Sequence, residues 1–512
     1  MINLFVSYYQ DSVPERQREI DTCFTKNLAN QYIDNIYVLV DEIPPPRVMD
    51  HPKIKGVFHC PKPKYNDFFE AVNRVTEDVD INIIANLDIY FENDLKKLYW
   101  YNLDRRCLAL SRWDIGANGR QTHHRSWDSQ DVWIFKGKVN GVNGDHRLGI
   151  CGCDNRIAHE IKAAGYEVLN PSDSFKCFHL HITNVHNYTR RGGDVVPEPY
   201  HFITPHDDRM LLSGKKVLHL ALGRDQPTLE DALSSLGEIK NIDHCRNKNF
   251  FAEALSQKWD VVFMQVQSAG VVTPEFCQRL TGVRLNWTGD VRQPTPQWYL
   301  DVGRVIDNTL FTNTDDVRYL HQHGIGADYL QIGFDHHVFV PYGEQGRYPD
   351  VVFMANNYRD VFPLSPLRAQ IAQRLRDEFS ERFEVIGTGW PFKTRSLMYN
   401  MPEEAKAYRS CKIAINCSHF DLRRYSSDRI LRIMGAGAFC LTKWYPDIEM
   451  EYQDGVHLKV FRTLDEMVDM VRYYLENENE RKKIAMQGCE YVHRNCRWQN
   501  RMDQLKAIIA GS

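Results

Sequence analysis

Residues 426–442 read Ser-Ser-Asp-Arg-Ile-Leu-Arg-Ile-Met-Gly-Ala-Gly-Ala-Phe-Cys-Leu-Thr. Ser427 or Asp428 suits the cap of a short helix, and Gly435 and Gly437 are expected to end that helix before an apolar strand. A helix that passes through a glycine turn into a buried strand is the repeating unit of α/β domains with a parallel sheet. The stretch therefore predicts such a sheet in the C-terminal part of the chain.

The start of this helix also predicts an anion site. Free N–H groups and the positive end of the helix dipole attract a diphosphate, and Arg429 in the first turn adds a charged partner. Upstream, residues 385–390 read as a strand followed by a turn, where Gly387 and Gly389 let a nucleotide approach the backbone and Trp390 would flank the base. Simple helix and strand termination explains the glycines as well.

Strand-like and helical segments alternate along the rest of the chain. The pattern restarts after a stretch rich in Gly, Pro and His at 190–205, and again near 341–349. We therefore predict an α/β protein with three Rossmann-like domains, at 1–205, 211–343 and 344–512, the last two facing each other across a cleft.

The composition excludes several classes of protein. The 512 residues are 43% hydrophobic, and a formal net charge of −4 gives no overall attraction to nucleic acid or to an anionic membrane. The longest apolar runs are too short for a membrane span, and the N-terminus lacks the features of a signal peptide. Thirteen cysteines without a regular framework fit a reducing compartment. We expect a cytoplasmic protein, in the host cytoplasm if its source is viral.

An acidic step ends a strand in the N-terminal domain. Residues 83–91 read Ile-Ile-Ala-Asn-Leu-Asp-Ile-Tyr-Phe, with Asn86 and Asp88 at the end of the apolar run. A carboxylate at the carboxyl end of a parallel strand lies where α/β folds bind ligands, and it can hold a hard divalent cation together with diphosphate oxygens. The alternative is that Asp88 caps the following turn.

Two histidines alternate with apolar residues near the end of the same domain. In Phe178-His179-Leu180-His181-Ile182, the two-residue period of a strand puts His179 and His181 on one face. Two imidazoles on one face suit a metal or phosphate site, whereas the alternative is a pair of hydrogen-bonded surface histidines.

Three further aspartates are candidates for catalysis. Asp131 starts a strand, and Asp154 lies in a glycine-bracketed loop that enters a helix, where Asp154 or Asn155 would also make a good N-cap. Asp290 lies at a turn after a strand and is a candidate for the base or for acceptor binding; an ordinary turn aspartate explains it equally well.

Residues 1 to about 190 resemble a GT-A-type glycosyltransferase domain of the kind found in phage and bacterial sugar-modification loci. The resemblance is carried by Asn86-Leu87-Asp88 in the place of the DxD motif, Ser129-Gln130-Asp131, Gly152-Cys153-Asp154-Asn155 and His179-Leu180-His181. It implies that Asp88 and His181 or His179 hold Mn²⁺ or Mg²⁺, and that Asp131 and Asp154 face the donor sugar and the acceptor. Asn86 departs from the usual first Asp, although its amide can still bind a ribose hydroxyl.

Residues 211 to about 500 resemble the GT-B-type, spore-maturation-protein-B-like glycosyltransferases. The resemblance is carried by 426–442, the strand and turn at 385–390 and the segment around Trp444-Tyr445-Pro446-Asp447. It implies that this pair of domains binds a nucleotide sugar through Ser427, Asp428 and Arg429 without a metal. The family places an acidic residue three positions after the arginine to bind the ribose, and this chain has Arg432 there.

These features predict a bifunctional glycosyltransferase, metal-dependent in the N-terminal module and metal-independent in the C-terminal one, that builds a glycan or decorates a modified acceptor. One alternative keeps one active module and makes the other an acceptor-binding scaffold. Another is a phage-type enzyme that glycosylates DNA bases, for which a basic surface would be formed by Arg105, Arg106, Arg112, Arg120, His123, His124, Arg125, Arg190 and Arg191. The net negative charge disfavours the DNA alternative.

Overall fold

The computed structural model describes residues 1–41, 50–99, 101–116, 118–180, 182–183, 195–206, 215–223, 226–397 and 400–511. The chain divides into two units, Met1–Leu212 and Ser213–Ser512. The described ranges form a mixed α/β structure, and no helix within them has the length and apolar character needed to cross a membrane. All thirteen cysteines fall in these ranges and are free thiols.

The first unit contains two sheets and three α-helices among its described residues. Its strands are β1 (Ile2–Tyr8), β2 (Asn35–Val40), β3 (Ile54–His59), β4 (Ile81–Ala85), β5 (Ile89–Phe91), β6 (Arg106–Leu110), β7 (Trp113–Ile115), β8 (Gln121–His123), β9 (Val132–Lys136), β10 (Glu167–Leu169) and β11 (Cys177–His179). Its helices are α1 (Pro14–Ala29), α2 (Tyr65–Val75) and α3 (Cys153–Ala163), with a 3-10 helix at Asn93–Tyr99.

The larger sheet of this unit has the strand order β10-β6-β9-β4-β1-β2-β3. Strands β1 to β4 are parallel, and β9 runs antiparallel to its neighbours β4 and β6. From β1 the chain proceeds to β2 and β3 on one side and then returns to β4 on the other. Open α/β sheets bind their ligands beyond the carboxyl ends of the strands at which the strand order changes direction, which here are β1 and β4.

The central strand β1 is buried on both faces because helices and loops cover the sheet from both sides. Leu4 and Val6 belong to one core cluster and Phe5 to another, as the two-residue period of a strand requires. The N-terminal apolar run therefore forms an interior strand of the sheet, between β4 and β2.

The smaller sheet has the order β5-β11-β7-β8 and brings distant parts of the chain together. Strand β11 pairs antiparallel with β5 and parallel with β7, and this pairing sets His179 opposite Ile89 on one side and Asp114 on the other.

The second unit contains two parallel sheets. The first consists of β12 (Lys216–Ala221), β13 (Glu238–Asp243), β14 (Val261–Met264), β15 (Val283–Thr288), β16 (Asn308–Phe311) and β17 (Ala327–Tyr329), in the order β13-β12-β14-β15-β16-β17. Its helices are α4 (Pro227–Leu233), α5 (Phe250–Ala254), α6 (Pro274–Arg279), α7 (Gln297–Gly303) and α8 (Thr314–Gln322).

The second parallel sheet consists of β18 (Val351–Met354), β19 (Phe383–Ile386), β20 (Ile413–Asn416), β21 (Phe439–Lys443) and β22 (Lys459–Phe461), in the order β19-β18-β20-β21-β22. Its segment of the chain contains α9 (Ser365–Phe379), α10 (Met401–Ser410), α11 (Asp428–Gly435), α12 (Leu464–Glu476), α13 (Glu478–Asn495) and α14 (Trp498–Gly511). The last helix returns to the first sheet, because Trp498, Met502 and Leu505 share a core cluster with Val217 and Leu285. The segment 344–512 therefore contributes to the cores of both sheets.

Helix α11 ends at Gly435, as the sequence predicts, and the ring of Phe334 approaches this residue so closely that an added Cβ would lie 2.4 Å from it. Another local expectation is wrong. Neither Asp154 nor Asn155 is the N-cap of α3, because Gly152 holds that position with a φ of 82°. The helix therefore begins at Cys153, and Asp154 lies in its first turn.

Candidate functional site

Asp88 lies three residues beyond the carboxyl end of β4, where the strand order of the sheet changes direction. Helix α1, which follows β1, brings the Arg16 guanidinium onto the Asp88 carboxylate, and His179 Nε2 lies 3.1 Å from the same oxygen, Oδ2. Burial alone would raise the pKa of Asp88, but the contacts with His179 and Arg16 together hold it well below its usual range. The side chain is therefore an ionised carboxylate at neutral pH.

His179 is held between two carboxylates. Its Nδ1 lies 2.8 Å from Asp114 Oδ1, while its Nε2 faces Asp88. Burial alone would lower the pKa of His179, but the hydrogen bonds to Asp114 and Asp88 outweigh it and raise the pKa to about 9. His181, the other predicted ligand, lies outside the described residues.

Two possible ligands of a divalent cation meet at this point, although the described residues hold no group of three or more His, Cys, Asp or Glu side chains that could bind a metal ion. A carboxylate oxygen of Asp88 and an imidazole nitrogen of His179 face each other, and both are common metal ligands. The other ring nitrogen of His179 is bound by Asp114, which is the arrangement that orients a metal-binding histidine. A cation held by Asp88 would displace the Arg16 contact and the proton that His179 shares with it.

Asn86 and Asp131 belong to the same network. Asn86 Nδ2 donates to Asp131 Oδ1 at 2.9 Å, so the amide is committed to this carboxylate. Arg112 Nη1 lies 3.2 Å from Asp131 Oδ2, and Arg112 Nε donates to Asp114 Oδ1 at 2.9 Å. Arg112 thus connects Asp131 to the pair formed by Asp114 and His179.

Asp154 has a pKa close to neutral pH. Burial, and after it the negative charge of Asp131, raise the pKa of Asp154 to about 7. The Cys153 Sγ lies 3.2 Å from Asp154 Oδ1 and donates to it. A carboxylate with this pKa can accept a proton near neutral pH, as a general base must.

Sequence reasoning missed three residues of this network: Arg16, Arg112 as a partner of carboxylates, and Asp114. Arg16 lies within a helix and is 72 residues away from Asp88, so no local spacing connects the two. Three residues of the predicted basic surface are neutralised, since Arg106, Arg112 and Arg125 form ion pairs with Glu167, Asp131 and Asp173. Arg190 and Arg191 lie outside the described residues.

The second unit contains a different kind of site, in which two arginines meet without a carboxylate partner. Arg368 of α9 and Arg429 of α11 both donate to the carbonyl oxygen of Cys417, just after β20, and Arg429 Nη1 does so at 3.4 Å. Arg368 is only 1% exposed. Neither guanidinium forms an ion pair with any carboxylate in the described part of the chain.

The electrostatics of this site show an excess of positive charge. Burial, followed by repulsion from Arg429, lowers the pKa of Arg368 to about 9. Burial and then the charges of the same two arginines lower the pKa of His419 to about 3, so His419 is neutral. Buried charges without partners are costly, and an anion bound here would remove that cost.

The start of α11 is open beside these arginines. Ser427 holds the N-cap position, but its side chain does not cap the helix; its Oγ accepts from Arg429 Nη1 at 3.3 Å. Arg432 is bound by Asp428 at 2.6 Å and by Glu404 at 2.9 Å. The Asp428 carboxylate is therefore committed to Arg432, and the remaining cationic group at the helix start is Arg429.

The structure accounts for Gly387, Gly389 and Trp390 by packing. An added Cβ would lie 2.1 Å from the Ala355 carbonyl oxygen at Gly387 and 2.1 Å from the Asn357 carbonyl oxygen at Gly389. The Trp390 Nε1 donates to the Ala355 carbonyl oxygen at 2.7 Å. These residues join the loops after β18 and β19.

Asp290 lies exposed at the turn after β15, with Arg292 Nη2 3.9 Å from its Oδ2. The adjacent Val291 packs against Phe420 and Tyr425, which belong to the loop between β20 and α11. The turn that carries Asp290 therefore contacts the loop that leads to Arg429.

Comparison with known proteins identifies the class of the C-terminal region. Residues 365–507 match the family described as glycosyl transferase-like. This region contains both arginines of the second site and is a glycosyltransferase domain, which makes the protein an enzyme of the transferase class. No curated protein matches the chain.

Several solved glycosyltransferase structures resemble part of the chain. HepE of Anabaena in complex with UDP-glucose has a TM-score of 0.42 and 12% identity, and the match covers 58% of this chain and 100% of that one. Sucrose-phosphate synthase of Thermosynechococcus elongatus has a TM-score of 0.41 and 10% identity over 58% and 100% of the two chains. A glycosyltransferase of Rickettsia africae has a TM-score of 0.41 and 8% identity over 58% and 98%. Structural similarity at this level does not identify a substrate.

Proposed function

We propose that the protein is a nucleotide-sugar-dependent glycosyltransferase with two active modules, a GT-A-like one in the first unit and a GT-B-like one in the second. The observation that carries the proposal is a pair of arginines in the glycosyl transferase-like region, the buried Arg368 and the partly buried Arg429. Among the described residues, neither arginine forms an ion pair with a carboxylate. The thirteen free thiols support action in a reducing cytoplasm.

In the second unit, the donor diphosphate binds between the two arginines and the start of α11. Arg429 and Arg368 supply the positive charge, and the open N–H groups of the helix bind the phosphate oxygens. Two fixed cations meet the charge of the leaving diphosphate, so this module needs no metal. Asp290, on the turn that contacts the Arg429 loop, lies on the acceptor side.

In the first unit, Asp88 and His179 would hold Mn²⁺ or Mg²⁺, which neutralises negative charge on the donor diphosphate when bound. Asp114 orients the His179 imidazole. If the reaction inverts the sugar, Asp154 accepts the proton of the acceptor hydroxyl, while Asp131, fixed by Arg112 and Asn86, faces the donor.

One observation favours a second candidate, in which only the first unit transfers sugar and the second binds the acceptor. Arg432, at the position where the related family has an acidic ribose ligand, is engaged by Asp428 and Glu404. A nucleotide at this site therefore lacks that ribose contact.

A panel of nucleotide sugars tests the proposal on the full chain, with thermal stabilisation and donor hydrolysis measured with Mn²⁺ and with chelator. We expect one activity that chelator and Asp88→Ala abolish, and one that survives both. Arg429→Ala should weaken donor binding in the second module about a hundredfold, because a charge-assisted contact contributes about 2–3 kcal/mol to the binding free energy. Arg472→Ala, an exposed arginine on α12, is the control and should change neither.

The outcomes separate the candidates. If the unmodified chain binds none of the nucleotide sugars, the proposal is overturned. A single, wholly chelator-sensitive activity that Arg429→Ala leaves intact would favour the scaffold candidate.

A further inference from the structure

Two large aromatic side chains of the first unit lie exposed beside each other. Trp127 is 52% exposed and Phe202 is 45% exposed, and their rings meet edge to face with centroids 4.4 Å apart. The half-buried Tyr200 extends the group, with its ring 6.1 Å from that of Phe202. Adjacent exposed aromatics of this size commonly mark a binding surface.

The backbone anchors this aromatic group to the catalytic candidates. The Ile203 N–H donates to the Trp127 carbonyl oxygen at 3.0 Å, which joins the segments that carry the two exposed rings. Asn155 Nδ2 donates to the Asp128 carbonyl oxygen at 3.2 Å, and the His201 N–H donates to the Asn155 carbonyl oxygen at 2.9 Å. Asn155 follows Asp154 in the first turn of α3. The aromatic group is therefore fixed to the helical turn that carries the predicted base.

The charges around the rings indicate what binds there. The exposed carboxylate of Asp128 follows Trp127 in the chain and accepts from Ser126 Oγ, and Glu198 is exposed close to Tyr200. The nearby Arg125 is bound by Asp173, and Arg156 by Glu160. Carboxylates beside the rings accept hydrogen bonds from sugar hydroxyls, whereas they repel the phosphates of a nucleic acid.

We propose that Trp127 and Phe202 form the acceptor subsite of the first unit and stack against a pyranose ring of a neutral glycan. The apolar face of a sugar ring covers the aromatic surface, while its hydroxyls reach Asp128. The ring is thereby held next to Asp154, where a hydroxyl can lose its proton. This proposal rests on the proposed transferase activity of the first unit, whose acceptor it assigns to a chemical class.

The test uses the full chain and three variants: Trp127→Ala, Phe202→Ala and, as a control, Phe251→Ala, an exposed aromatic of the second unit. The probes are an array of neutral oligosaccharides and a single-stranded DNA oligonucleotide of about 20 nucleotides. The expected result is binding to neutral glycans that weakens about tenfold in each variant of the first unit and is unchanged in Phe251→Ala, since 1.4 kcal/mol corresponds to a factor of ten. Trp127→Tyr, which keeps an aromatic face, should retain most of the binding.

Donor hydrolysis, which uses water as acceptor, separates this proposal from the proposed function. Chelator-sensitive hydrolysis should persist in Trp127→Ala and Phe202→Ala, because the donor does not touch the rings. Absence of that hydrolysis in the unmodified chain would refute the proposed function. If hydrolysis is intact, three results would refute the acceptor subsite while leaving the proposed function standing. They are glycan binding that the variants do not change, no binding to any glycan of the array, and salt-sensitive binding of the DNA oligonucleotide instead of glycan.

Discussion

Asp154 is the proposed general base of the first module, and its pKa predicts how turnover of that module should depend on pH. As a general base it must be ionised, and burial together with the charge of Asp131 raises its pKa to about 7. Turnover should therefore be low at pH 5, rise through pH 7 and level off above pH 8. Asp154→Asn should abolish most of the turnover and leave donor affinity nearly unchanged. Glu160→Gln, on the same helix, should keep the pH profile.

The same residue should limit stability. A carboxyl group with a folded-state pKa above its unfolded value of about 3.9 binds its proton more tightly when folded, so its contribution to the free energy of unfolding falls as pH rises from about 4 to 7. Urea unfolding should show Asp154→Asn to be more stable than the wild type at pH 8 and not at pH 4. An unchanged pH–rate profile in Asp154→Asn would mean that another group titrates.

Sequence patterns singled out Asp88 because it follows an apolar strand, and His179 because it lies in a segment with the two-residue period of a strand. They could not find Arg16 or Asp114, which reach the site only through the packing of α1 and the pairing of β11 with β7. The role of Asn86 was also hidden, since its hydrogen-bond partner Asp131 is 45 residues away.

In helix α11, packing rather than backbone conformation requires a glycine at position 435. An Ala at Gly435 would place its Cβ 2.4 Å from the Phe334 ring and 3.0 Å from the Phe339 carbonyl oxygen. Gly435→Ala should therefore lower the free energy of unfolding by about 1–3 kcal/mol, although Ala favours helices. Gly511→Ala, in α14 with open space around it, should be neutral or stabilising. Equal stability of the two variants in urea would contradict this account.

The ends of helices and strands show which features of the local sequence were sufficient to predict them. Gly437 has a φ of 80° and ends α11 as expected, because a left-handed residue stops a helix by itself. Gly435, two residues earlier, looks the same in the sequence, but its requirement comes from Phe334, about one hundred residues away. Strands were easier to predict, since uninterrupted apolar runs such as those of β14 and β18 are the pattern of strands buried on both faces of a parallel sheet.

At the scale of the whole molecule, each core cluster among the described residues draws on one of the two units only. Within the second unit the two sheets do not share this independence, because α14 fills the core of the first sheet from the far end of the chain. A fragment that ends at residue 343 should therefore lose part of its core, whereas a cut between the units should not.

The two units should accordingly be separable in both folding and chemistry. Fragments 1–212 and 213–512 should each be soluble and unfold in one cooperative transition, measured by circular dichroism in urea. Activity should divide with them, so that Asp88→Ala stops only the transfer made by the first fragment and Arg429→Ala weakens donor binding only in the second. The two sites have different chemistry, a carboxylate–imidazole pair in one and an arginine pair in the other, and the residues of each pair lie within one unit. If Asp88→Ala and Arg429→Ala instead abolish one and the same transfer in the full chain, the two sites serve a single reaction, and the bifunctional proposal fails.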